Sequence, residues 1–169
     1  MAAVSAEGAF VANARQVTWR GREGLGRWAN LEGDRDFDQL GFQLVVVDPG
    51  VPACMYHGES TQEDFLVVSG ECVLVVEGEE RHLKTWDFVH CPPMTEHVFV
   101  GTGDGPCAIV MVGARVPLED EEIIYPANEV AAKHGASVEV TTPDPAEAYG
   151  RFMRRDPSPY RDGDLPDFS

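Results

Sequence analysis

The chain is 169 residues long, 43% of them apolar, and carries a formal net charge of −16. A single domain of that size and apolar content buries about two-thirds of its unfolded surface without staples. The charge argues against nucleic acid or an anionic membrane as a partner, because both would repel it, and no apolar run approaches the roughly 20 residues that a bilayer requires.

The first residues, MAAVSAEGAFVANARQV, lack a basic region followed by a long apolar stretch, so no signal peptide is expected. Residues 1–36 mix glycine, charge and two tryptophans, and are read as an arm with one or two short strands. Trp19 and Trp28 are expected to pack onto the main body or onto a second subunit. The first clear strand is Gly41 to Asp48, closed by the turn Asp48-Pro49-Gly50. Cys54 to Glu59 reads as a second strand, with His57 and Glu59 on one face by alternation. After the polar turn Ser60-Thr61-Gln62, Glu63, Phe65 and Val67 share a face of the next strand. Ser69-Gly70 and Glu77-Gly78-Glu79 are tight turns flanking a strand from Cys72. Arg81 to Thr85, Trp86 to Cys91, His97 to Val100 and Pro106 to Arg115 continue the series, broken by Pro92-Pro93 and by the turn GTGDG.

Strands at this spacing, without long helical periodicity, predict an all-β sandwich or barrel over residues 37–116. Residues 117–169 are read as an extension: an edge strand at Ile123-Ile124-Tyr125, and a short helix from Asn128 to His134 capped by Asn128 and stopped by Gly135. A short strand over Ser137 to Thr141, a brief helix over Ala146 to Arg154 and a loose tail that wraps a neighbour or stays disordered complete it.

Cys54, Cys72, Cys91 and Cys107 show no C-x-x-C spacing and stand mostly in apolar contexts. They are expected to be reduced, mostly buried thiols of a cytoplasmic protein. Tyr56, Phe65, Phe88, Phe99 and Met111 are expected in the core. His82 and His90 read as surface or packing residues, and His134 as a helix-end cation. Arg81 and Arg115 would hold an acidic substrate only if they faced the barrel mouth.

Folding the stretch from Gly50 to Gly101 as two hairpins brings His97 to His57, Glu59 and Glu63. Two imidazoles and a carboxylate, His57, His97 and Glu63, suit a divalent ion with open positions for substrate, and Fe, Mn, Zn and Ni all accept such donors. Glu59 is either a fourth ligand, cancelling the ion's second charge, or a catalytic base beside it. Leaving these groups without an ion would cost several kcal/mol in desolvation and repulsion.

The same stretch resembles the cupin superfamily. His57, Glu63 and Gly70 fit the first histidine, the glutamate and the closing glycine of its first motif, and Pro92 and His97 fit its second motif. Glu59 stands where the first motif has its second histidine, Gly50 lies one residue too far from His57, and Trp86, Met94 and Gly101 replace the second motif's two glycines and its asparagine. The resemblance implies a small jelly-roll-like β-barrel, commonly a homodimer, with a metal near its mouth. Because the family includes enzymes, binding proteins and storage proteins, it does not choose the reaction. Two readings follow: a metal-dependent enzyme on a small polar substrate, by oxygen activation or isomerase-type proton transfer, or a non-catalytic small-molecule binding or sensing module.

Overall fold

The computed structural model describes residues 9–33 and 37–167. Most of its regular structure is strand. Those that build the body are β1 (Arg20–Gly21), β2 (Arg27–Asn30), β3 (Leu40–Val47), β4 (Gly58–Glu59), β5 (Glu63–Ser69), β6 (Glu71–Val76), β7 (Glu79–Lys84), β8 (Phe88–Cys91), β9 (His97–Thr102) and β10 (Cys107–Ala114). A large sheet runs β1-β2-β3-β10-β5-β8 and faces a smaller one, β7-β6-β9, while β4 pairs with β11 (Ile123–Ile124). All these pairings are antiparallel. The sheets do not close into a continuous ring. They make the two-layered jelly-roll form of an all-β fold.

Alternation along the strands sorts side chains into layers. Val45, Val47, Phe65, Val67, Cys91, Cys107 and Ile109 of the large sheet meet Cys72, Leu74 and Phe99 of the small one, forming the main core. The opposite face of the small sheet, with Val73, Val75 and Val98, is covered by Tyr56, Ala131 and Ala136. The outer face of the large sheet, with Leu44, Val46 and Ala108, is covered by the arms through Trp19, Val17, Tyr160 and Leu165.

Both hairpin turns work through left-handed backbone. Gly78 (φ 74°) follows Glu77 (φ 49°) in the β6–β7 turn, and Gly70 (φ 76°) joins β5 to β6. A Cβ on Gly70 would lie 2.5 Å from the Pro106 carbonyl oxygen, so that position admits no side chain.

Several expectations are corrected. Cys54 to His57 is not continuous strand: the paired residues are Gly58–Glu59, and His57 makes an isolated bridge with His97. Ser137 to Thr141 forms no strand, and pairing there is confined to a Tyr125–Thr142 bridge. The second helix, α2, spans only Pro145–Tyr149 and ends at Gly150. The first, α1 (Glu129–Lys133), is as the caps predict: the Asn128 side chain accepts from the backbone N–H groups of Val130 and Ala131, and Gly135 follows with φ 69°.

The tail neither hangs free nor needs a neighbour over the described residues. It runs back along the N-terminal arm, with Trp19 and Ser158 exchanging backbone hydrogen bonds and Arg155 donating to Gly21. Asp164, with a side chain 1% exposed, closes the contact by accepting from Arg27 and Arg161, which also bind Asp48. Phe88 is not a core residue either: it sits on the outer face of edge strand β8, 65% exposed.

Candidate metal centre

His57 and His97 belong to segments forty residues apart and are joined backbone to backbone. His97 N–H donates to the His57 carbonyl at 2.8 Å and His57 N–H to the His97 carbonyl at 3.2 Å. Their ring centroids lie 4.9 Å apart. The Nδ1 of each ring meets the carbonyl two residues earlier: Met55 at 2.8 Å for His57, and Thr95 at 3.0 Å for His97. This repeated contact fixes each ring through Nδ1 and turns each Nε2 toward the other and the neighbouring carboxylates. Glu63 opens β5 on the inner face with Phe65 and Val67. One donor atom from each of His57, Glu63 and His97 falls within 4.8 Å of the others, and all three residues are buried.

Glu59 stands beside this trio. Its Oε1 lies 3.4 Å from His57 Nε2, while Glu63 Oε2 lies 3.3 Å from His97 Nε2. Glu59 is outside the 4.8 Å set and its side chain is 25% exposed, against 11% for Glu63. Alternation therefore brought Glu59 to the His57 side, as expected, but toward the mouth.

The protonation states follow from burial and mutual charge. Burial and then the Glu59 charge push the Glu63 carboxyl up to about 7. Burial and then the neighbouring His57 hold His97 down at about 4. Burial opposes charge on Glu59 as well, but the His57 ring outweighs it and lowers the carboxyl. Burial likewise opposes a charged His57, and the Cys54 sulfur and Glu59 reverse that, raising it. The four groups thus divide into an ion pair and a neutral pair. In the neutral pair, the buried Nε2 of His97 has no hydrogen-bond partner among the described residues. An acceptor stranded in this way, among a nitrogen and carboxylate oxygens, fits a cation as the missing partner.

Two residues near the group carried no sequence signal beyond their aromatic type. Tyr125, buried, places its ring centroid 6.0 Å from that of His57, and its partner Tyr149 accepts from Met55 N–H, behind the His57 anchor. The Cys54 sulfur lies 3.7 Å from His57 Nδ1. The other candidates lie elsewhere. His90 pairs with Asp64 on the exterior, His82 is exposed, and His134 pairs with Glu80. Arg81 pairs with Glu79 in solvent. Arg151 donates to the carbonyls of Gly135 and Ser137, an intrachain contact.

A family model described as a cupin domain matches residues 43–113. A search of curated proteins finds no match. Among solved structures, a sugar phosphate isomerase from a cupin superfamily of Silicibacter pomeroyi DSS-3 is 22% identical, covering 85% of each chain at a TM-score of 0.56. An RmlC-like cupin from Shewanella frigidimarina NCIMB 400 is 18% identical over 64% of this chain and 92% of its own, with a TM-score of 0.55. The polyketide cyclase RemF from Streptomyces resistomycificus is 16% identical over 62% and 78%, with a TM-score of 0.53. At these identities the likeness is one of fold. The motif residues, the facing sheets and the family match agree: this chain carries a cupin domain over residues 43–113.

Proposed function

We propose that the protein is a metal-dependent enzyme on a small polar substrate, with one divalent ion (Fe, Mn, Zn or Ni) held by His57, Glu63 and His97. The observation that carries this reading is the pair of imidazoles, each anchored through Nδ1 and presenting Nε2 beside a buried carboxylate. Bound there, the ion would act as a Lewis acid toward a carbonyl or hydroxyl oxygen. Glu59, outside the trio and nearer the mouth, with Oε1 3.4 Å from His57 Nε2, is placed to hold or remove a proton from the substrate. The apolar walls, Phe65 and Phe99, exclude water from the inner side of the group. Proton transfer next to a carbonyl is the chemistry that this arrangement supports best. The isomerase and cyclase activities named for the structural neighbours are compatible with it.

Metal analysis of protein purified without chelator, and after reloading, tests the centre. About one ion per chain is expected, falling below a tenth in His57→Ala and in His97→Ala. Fewer than one ion per several chains in the reloaded native protein would sink the reading. Glu59→Gln separates base from ligand: unchanged metal content with lost exchange of solvent deuterium into a bound ketose marks a base, and loss of both marks a ligand.

The rest of the reading is coarser. Residues 37–116 serve as the working unit and the two arms as its cladding. The buried free thiols of Cys72, Cys91 and Cys107 suit a reducing cytoplasm. A second copy of the chain is the proposed partner at the β8 edge, where Phe88 and Trp86 are exposed. The alternative, a binding or sensing module without turnover, would show ligand-dependent stabilisation and no product at any metal loading.

A further inference from the structure

Strand register defines what faces the centre across the barrel. One inward row crosses five strands as Asn30, Gln43, Met111, Phe65 and Val89, and the next as Gly41, Gly113, Glu63 and Cys91. Trp28 and Val45 flank the first row and pack into the main core, which fixes Asn30 and Gln43 on the same inner face. Two carboxamides therefore sit side by side in an otherwise apolar row, one row from Glu63. The Asn30 Oδ1 is shut off from solvent and has no hydrogen-bond partner among the described residues. It shares that state with His97 Nε2.

Between them, the glycines leave room. A Cβ on Gly113 would touch nothing nearer than the Glu63 Cγ, at 4.0 Å. The space over Gly41 is closed by the Arg115 guanidinium, whose Nη2 would lie 3.2 Å from a Cβ there. Arg115 does face inward, but it donates from Nη2 to Glu32 at 2.8 Å and from Nη1 to the Phe37 carbonyl. It works as a fastener of the rim and not as a receptor for an anion.

We infer that Asn30 and Gln43 are the second pole of the pocket, binding hydroxyl groups of a small neutral polyhydroxylated substrate whose other end meets His57, Glu63 and His97. This rests on the metal-centre reading above. A hydroxyl both donates and accepts, and so does a carboxamide, so adjacent hydroxyls can satisfy both amides, including the stranded oxygen. A carboxylate or phosphate would have no proton for Asn30 Oδ1 and would face Glu59 and Glu63 in a chain of net charge −16. Leaving a closed acceptor without a donor costs stability, and a site kept ready for a hydroxyl is where such a cost is tolerated.

The test uses the Mn²⁺-loaded full chain, with D-ribulose as the neutral probe and D-ribonate as its anionic counterpart, and reads paramagnetic broadening of the probe's proton lines. D-ribulose is expected to bind, and D-ribonate at least tenfold more weakly. Asn30→Leu and Gln43→Leu are each expected to weaken D-ribulose at least tenfold while metal content stays unchanged. In metal-free protein Asn30→Leu is expected to melt no lower than the native chain, because it removes an oxygen that has no partner. Unchanged D-ribulose affinity in both variants, tighter binding of D-ribonate, or no D-ribulose binding to Mn²⁺-loaded native protein would overturn this inference and leave the metal centre standing. A fall of several degrees in Asn30→Leu would likewise overturn it, by assigning the amide a structural role. If the native chain takes up no Mn²⁺, the metal reading fails. Titrating D-ribulose into metal-free native and Asn30→Leu protein then decides the amide pair alone, equal affinity or no binding overturning it.

Discussion

Trp86 and Met94 stand at φ 77° and 64°, in the left-handed region that glycine occupies freely. They are also where the cupin motif has glycines, so the chain keeps the backbone and gives up the residue suited to it. For an L-residue that conformation costs roughly 1–2 kcal/mol, against about 0.5–1 kcal/mol for the extra freedom of a glycine in the unfolded chain. Trp86 is 69% exposed and has little burial to lose. Trp86→Gly is therefore expected to raise the melting temperature slightly, by up to about 3 °C, and a clear fall in a thermal scan would show that the indole makes a contact that holds the fold. Glu59 shows the converse. Its position in the motif said only that it replaces a histidine. The coordinates put its carboxylate beside His57 and outside the buried trio, the placement on which the proposed base role rests.

At the scale of elements, the tail and the β8 edge are the informative parts. The tail is held by a four-membered charge cluster in which Asp164 is almost wholly buried and meets both Arg27 and Arg161. Asp164→Asn leaves two guanidiniums with one carboxylate, Asp48. Breaking a buried pair in that way costs about 3 kcal/mol, so the melting temperature should drop by roughly 6–12 °C, with faster proteolysis after residue 150. An unchanged melting curve would mean that the tail contributes nothing to the body. Strand β8 pairs on one side with β5, and its Phe88 stands beside Leu66 on the outer face of the large sheet. Edge strands with exposed aromatics invite a partner. Phe88→Ser is expected to shift sedimentation from dimer to monomer without changing metal content. A native chain that sediments as a monomer at all concentrations would remove the second copy as partner.

The whole molecule is strongly acidic, and one carboxylate in that cluster, Asp48, contributes to its stability toward acid. A hydrogen bond from Arg27, opposed by burial and reinforced by Arg161, lowers the Asp48 carboxyl to about 2. An ordinary aspartate titrates near 3.9 in the unfolded chain, roughly. Because the folded value is the lower one, the ionised Asp48 contributes in full above about pH 4, and the contribution is lost as pH falls toward 2. The advantage of the native chain over Asp48→Asn in thermal unfolding should therefore be constant from pH 7 to 5 and vanish near pH 2. An advantage that persists at pH 2 would place the effect in packing instead of charge.

What could be read before any coordinates were seen was local: strand periodicity, the glycine turns at Gly70 and Gly78, the Asn128 cap, and the histidine and glutamate spacing around the two hairpins. These are legible because they depend on backbone sterics and on side chains a few residues apart. Burial on a given face, by contrast, depends on which layer a strand is assigned to and on what lies over it. Phe88 looked like core and faces solvent because β8 is an edge strand. The tail looked loose because its composition is polar, and it is ordered because its charges find partners more than a hundred residues away. Asn30 and Gln43 carried no motif at all, and only antiparallel register across β2, β3 and β10 sets them in the inward row of Phe65. Short-range physics thus chose the strands and the donor types, while long-range pairing decided which donors share a cavity, since that depends on how the sheets stack and not on any neighbour in the chain.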